Sequence, residues 1–246
     1  MPATVVYLVA VIFVATLIRS SLGFGEALVA VPLLALRMPI RVAAPLAVLV
    51  SITIAALIIA QDWRDIQARS AGWLVAATLP GIPLGLWLLT ALDGRVVKAV
   101  LALVIGAYAA YSLLRRAPAR LERDRLPWLI GCGLCAGVLG GAYGMNGPPL
   151  AVYGSLRGWS PARFRATLQA YFLPASIVGM AGYGMAGLWS TTVNHDFLLA
   201  LPAVLVGVVA GRRVHRRLKG RSFARFVYGG LILTSVGLLA QALSAR

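Results

Sequence analysis

Seven acidic residues stand against 23 basic ones in a chain of 246, and their placement is uneven. Asp62, Asp65, Asp93, Glu122, Asp124 and Asp196 sit in or beside loop-like stretches. Glu26 does not: it ends the run Arg19-Ser20-Ser21-Leu22-Gly23-Phe24-Gly25-Glu26 inside an interrupted apolar segment. A carboxylate is costly in an apolar interior, so an ionisable group there is a functional candidate by default. One chemistry open to Glu26 is proton exchange as a binding site changes sides of a membrane. The other is structural, since pairing with Arg19 or standing at a helix start, where acids are stabilised, would only hold a hairpin.

The neighbours of Glu26 extend the candidate set. Gly23 and Gly25 let the backbone turn sharply and approach a ligand closely, and Ser20 and Ser21 offer hydroxyl donors. A short helix beginning near Glu26 would aim free N–H groups and the positive dipole end at that pocket. In the second half Gly140-Gly141-Ala142-Tyr143-Gly144-Met145-Asn146-Gly147-Pro148 holds the equivalent place. Pro148 suits a first helical turn, with Asn146 or Gly147 as its cap. Two helix starts facing each other would make an anion site; for the glycines taken alone, tight helix packing is the simpler reading. Arg41 and Arg163 occupy matching positions and could attract anions at opposite faces. Tyr143 and Gln169, with Thr167 and Tyr171, could orient a substrate's oxygens or bond between helices. The expected binding set is therefore Arg19, Ser20, Ser21, Gly23, Gly25, Glu26, Arg41, Tyr143, Gly144, Asn146, Gly147, Arg163 and Gln169, with Glu26 as the proton-coupling residue.

Other chemistries lack their residues. Cys132-Gly-Leu-Cys135 has the spacing of half a metal or redox site, but no second pair exists and the segment is uncharged. His195 and His215 show no zinc-ligand spacing. Neither a phosphate loop nor a Gly-x-Ser-x-Gly elbow is present. Catalytic residues, metal and cofactor are not expected. The basic run Arg212–Arg221 reads as a cytoplasmic loop near anionic lipid, not as a nucleic-acid surface.

The elements that must position these residues follow from composition. With 60% apolar and 12% charged residues, the chain departs from globular usage, near 45–50% and about 25%. Long uncharged stretches indicate an all-α polytopic membrane protein rather than a barrel. The first, Thr4–Ile18, reads as a retained helix and not a signal peptide. Ala27–Leu36 is too short to cross, and Leu126–Leu156 is too long for one helix, broken by Gly140-Gly141 and Gly147-Pro148-Pro149. Laying the second half on the first places Leu36-Arg37 over Leu156-Arg157 and Glu26 over Asn146. After a short insertion, Pro39 meets Pro161, Arg41 meets Arg163 and Leu79-Pro80 meets Leu201-Pro202. The chain thus divides into a first repeat over 1–114, a basic cytoplasmic linker over 115–125 and a second repeat over 126–246. Each repeat is a broken, re-entrant hairpin followed by three transmembrane helices. Thr4–Leu36 as one helix would be about 50 Å long, against a core of ~30 Å, so the hairpin is favoured and the repeats are inverted. The basic loops set the cytoplasmic face, although a single-crossing arrangement puts the most basic loop inside as well. Matching interrupted segments are the best sequence pointer to a midplane binding site.

Two stretches carry a family resemblance. Gly23-Phe-Gly-Glu-Ala-Leu-Val-Ala-Val-Pro32-Leu-Leu resembles the glycine-rich stretch and proline-leucine helix that open each half of the TauE/SafE sulfite exporter family. Gly141-Ala-Tyr-Gly-Met-Asn-Gly-Pro-Pro149 is similar to its counterpart, and the resemblance covers essentially the whole chain. The family's glycine run is denser; here Glu26 interrupts the first and Met145-Asn146 the second. The resemblance implies export, or uptake in some members, of small organosulfur or organic anions such as sulfite, sulfoacetate or related sulfonates across a bacterial inner membrane. The expected partners are that anion and the lipid bilayer, with small-residue faces that could serve a homodimer or internal packing. A passive anion channel of the same architecture and, less favoured, a membrane-embedded enzyme are the rival readings.

Overall fold

The computed structural model describes residues 2–114, 126–217 and 221–244. The stretch 115–125, expected as a linker, and residues 218–220 of the basic run lie outside them. In chain order the helices are α1 (Pro2–Leu22), α2 (Glu26–Ala35), α3 (Ile40–Asp62), α4 (Ala68–Thr78), α5 (Gly81–Ala91), α6 (Gly94–Leu114), α7 (Leu126–Tyr143), α8 (Gly147–Leu156), α9 (Pro161–Met185), α10 (Thr191–Arg217) and α11 (Arg221–Ser244). Among the described residues there is no strand. Among the described residues five helices are long and apolar enough to cross a membrane, six if the α4–α5 pair, bent by 43°, is one span. The bend falls at Leu79-Pro80, where proline withholds an N–H from the helical ladder.

The first apolar run continues as helix beyond Ile18, through Arg19, Ser20 and Ser21 to Leu22. Counting uncharged residues stops at Arg19, but the helix does not, because tertiary partners satisfy that charge. The chain then reverses. Gly23 and Gly25 have φ of 90° and 102°, left-handed values that favour glycine. The Tyr7 hydroxyl donates to the Leu33 carbonyl at 2.6 Å, so α2 runs back along α1. With ten residues, α2 rises about 15 Å, half the apolar thickness. Nine of the ten are buried, so protein surrounds it as a half-length helix in lipid requires.

The second break differs from expectation in one respect. Gly140-Gly141 does not interrupt the helix: α7 runs through it to Tyr143, and the break comes at Gly144-Met145-Asn146. The α7 glycines instead allow close approach to α5. A Cβ on Gly85 would collide with the Val138 carbonyl, and one on Gly141 with the Ile82 carbonyl. The seam is therefore backbone against backbone, the small-residue packing usual between membrane helices. As expected, Pro148 lies in the first turn of α8.

Helices from the two halves interleave. α1 packs along α10, α5 on α7, α6 on α11 and α3 on α9. α3 and α9 run antiparallel. The Ser51 and Ser176 hydroxyls meet at 3.2 Å near their middles, and the Gln67 N–H beyond the end of α3 donates to Thr167 near the start of α9 at 3.1 Å. Leu103, Leu205, Val206, Leu233 and Val236 point outward, an apolar surface suited to acyl chains.

Candidate anion site

The site forms where the two breaks meet. Glu26 is the first residue of α2 and Gly147 the first of α8; a side chain on Gly147 would touch Phe24. First-turn N–H groups of a helix lack intrahelical partners, and the starts of both helices border the space between the tips. α8 contributes fewer of them than a helix start ordinarily does, because Pro148 and Pro149 carry no N–H.

Arg19 is fully buried (0% exposed) and Glu26 nearly so (3%). The Arg19 Nη1 lies 2.8 Å from Glu26 Oε2 and donates to Ser51 Oγ at 2.7 Å. Its Nε and Nη2 both donate to Gln169 Oε1, at 3.1 and 2.7 Å. The guanidinium carbon lies 4.5 Å from the Phe172 ring centroid, a cation–π distance. Four of the five guanidinium N–H groups are thereby engaged. Gln169 in turn donates from Nε2 to the Gly23 carbonyl at 2.8 Å, which ties the turn to α9. A buried charge is tolerable only when paired and hydrogen-bonded, and Arg19 meets both conditions.

Gly25–Leu28, Ser51, Gly144–Pro148 and Phe172 line a narrow space of about 10 Å³, the room of roughly one water. Asn146 precedes α8, yet its side chain caps nothing there; Nδ2 instead lies 3.4 Å from the Tyr171 hydroxyl, which meets Thr78 Oγ1 at 2.8 Å.

Of the residues singled out from sequence, Arg19, Gly23, Gly25, Glu26, Gly144, Asn146, Gly147 and Gln169 converge here. The others do not. Ser21 donates to the Leu17 carbonyl at 2.7 Å and to that of Gly211 at 3.3 Å. Ser20 abuts Gly211, and its hydroxyl has no hydrogen-bond partner among the described residues. Both serines thus belong to the α1–α10 seam. The Tyr143 hydroxyl donates to the Val97 carbonyl at 3.1 Å. Arg163 is exposed in the first turn of α9, and its N–H is capped by Ser160 at 3.4 Å. Arg41 is exposed, donates to the Thr90 carbonyl at 2.8 Å and borders an open cleft with Asp93, Arg95 and Lys98.

Ser51, Phe172, Ser176 and Arg165 were missed. Arg165 is buried beside Gly23 and has partners of its own. A signal existed: Arg165, Gln169, Phe172 and Ser176 recur at steps of four, three and four along α9, one helical face. Ser51 interrupts an apolar span at its middle.

Two discontinuous helices meeting inside a bundle, with an ion pair at their junction, define a polytopic membrane protein of the transporter type. The sulfite exporter TauE/SafE profile matches residues 8–238, and the chain belongs to that family of membrane transporters. It is similar to a probable sulfite/organosulfonate exporter TauE of Cupriavidus necator, with 28% identity over 187 residues, covering 75% of this chain and 71% of the relative. No solved structure matches.

Proposed function

We propose that the protein is a secondary transporter that exports small sulfur oxyanions, sulfite and short sulfonates such as sulfoacetate, across a bacterial inner membrane. The anion sits between the hairpin tips, held by first-turn N–H groups of α2 and α8 and by Arg19, and alternating access moves the site between faces. The observation that carries this reading is the buried Arg19–Glu26 pair, 2.8 Å apart, at the start of a half-length helix. It sets a buried cation at the junction against a carboxylate that an oxyanion can replace. Glu26, once displaced, takes a proton, which couples anion movement to the proton gradient.

Inverted repeats over 1–114 and 126–246 supply the symmetry that alternating access needs. The packing supports them. Exchanging α1 with α7, α2 with α8, α3 with α9, the α4–α5 pair with α10 and α6 with α11 maps α1–α10 onto the packing of α7 with α4 and α5, α1–α2 onto α7–α8 and α3–α10 onto α4–α9, and pairs α3–α9 and α6–α11 with themselves, although α8 does not pack on α9 as extensively as α2 does on α3. The end of α2 lies near Gln241 of α11, while α8 ends beside the start of α9, at the opposite end of the antiparallel α3–α9 pair. These placements support a reading in which the hairpins enter from opposite faces.

The test is uptake of sulfite, sulfoacetate and a carboxylate control into proteoliposomes, with and without an imposed pH gradient. Gradient-driven accumulation of the sulfur anions over the carboxylate is expected. Leakage that never exceeds equilibrium would replace the carrier by a channel.

A further inference from the structure

We propose that Phe172, together with Met145, limits the apolar tail that the bound anion can carry, so that the site takes sulfite and the shortest alkanesulfonates and turns longer alkyl chains away, whereas the second charged group of sulfoacetate can turn to the polar wall of Ser51 and Asn146. This rests on the transport reading above and narrows its substrate class. The space between the tips, about 10 Å³, has a wall divided by chemistry. Glu26, Ser51 and Asn146 bring polar atoms to it, whereas Leu28, Met145 and Phe172 bring apolar ones. A headgroup gains room when Glu26 leaves Arg19, because carboxylate and sulfo group compete for one guanidinium. A tail gains nothing from that exchange and must displace the apolar wall.

The members of that wall differ in how readily they yield. Phe172 is 4% exposed and held on two sides, by the Arg19 guanidinium at 4.5 Å and by the Tyr171 ring edge-on at 5.6 Å between centroids. It belongs to α9, which also anchors the turn through Gln169, so it cannot retreat without loosening the tip. Met145 sits in the break before α8 and has the flexible side chain that accommodates irregular shapes. The ring is the fixed limit and Met145 the adjustable part.

The experiment measures flux of sulfite, methanesulfonate, ethanesulfonate and propanesulfonate by the full-length protein in proteoliposomes, for the wild type, Phe172→Ala and Met145→Ala. Wild-type flux is expected to fall by about tenfold or more for each methylene beyond the first carbon, the discrimination a tight apolar pocket achieves. Phe172→Ala should raise the propanesulfonate-to-sulfite ratio roughly fifteenfold, about fourfold for each of two methylenes accommodated. The ratio is the readout because loss of the ring beneath Arg19 lowers all fluxes together and leaves a ratio unchanged. Met145→Ala should admit ethanesulfonate and provides the test if Phe172→Ala does not fold. Equal wild-type flux of sulfite and propanesulfonate, or unchanged ratios in both variants, would overturn the inference while leaving transport intact. Absence of flux for every compound would withdraw the transport reading and this inference with it.

Discussion

Replacing Glu26 with glutamine removes one charge and little volume, and its consequences separate two roles for the carboxylate. Arg19 keeps Ser51, Gln169 and Phe172 but loses its counter-ion in a fully buried setting. Breaking a buried pair by removing one partner costs roughly 3–5 kcal/mol. The glutamine carbonyl can retain one hydrogen bond, worth about 1 kcal/mol, which leaves a net loss of about 2–4 kcal/mol. If the oxyanion replaces the carboxylate on Arg19, binding of sulfite restores the missing charge and recovers part of that loss. At about 1.4 kcal/mol per tenfold, the ceiling on tighter binding is roughly 30- to 1,000-fold, and a gain of about tenfold suffices to establish the sign. Thermal unfolding of Glu26→Gln in detergent should start lower than wild type and rise more steeply with added sulfite. In proteoliposomes the variant should exchange sulfite across the membrane yet fail to respond to a pH gradient. A variant that binds sulfite no tighter than wild type and still follows the gradient would refute both the competition and the coupling, leaving Glu26 as a hairpin brace.

Three further outcomes are expected. Gln169→Leu leaves the Gly23 carbonyl and two Arg19 N–H groups without their partner; at about 1–3 kcal/mol per buried group, thermal stability should drop sharply, and hydrogen exchange should accelerate at residues 22–26 first. Gly25→Ala and Gly85→Ala should differ in kind. The first meets only Ile18 at an ordinary 3.7 Å and carries the left-handed penalty of roughly 1–2 kcal/mol, giving a folded protein with impaired transport. The second drives a Cβ into the Val138 carbonyl and should abolish monodisperse expression, as read by size-exclusion chromatography. Arg41→Gln should leave sulfite affinity unchanged, because Arg41 stands at the surface on the Thr90 carbonyl, while flattening the salt dependence of initial uptake, since distant surface charge steers anions and is screened.

Composition and spacing were enough to establish a membrane protein, two interrupted segments and a candidate acid. Long uncharged runs, a ten-residue apolar piece and a lone Glu26 are local facts of the chain, and lipid allows few solutions to them. The reversal at Gly23–Gly25 and the proline start of α8 were legible for the same reason, since they follow from the backbone chemistry of single residues. The sequence misplaced what depends on neighbours. Ser20 and Ser21 adjoin Glu26 in the chain but lie against α10, because a helix turns its residues through successive directions and only packing decides which faces the tips. Gly140-Gly141 reads as a break yet stays helical, Gly141 serving a seam with α5 and Gly140 making room for the Asn146 side chain, choices made by their neighbours in space. Ser51 and Phe172 reach Arg19 only because α3 and α9 cross beside the hairpin, and no spacing along the chain encodes that crossing. Pairing with Arg19 and standing at a helix start were both open to Glu26 from the short motif; tertiary structure realises both, and it fixes the pair by surrounding the guanidinium with acceptors at a depth where an unpaired charge could not remain.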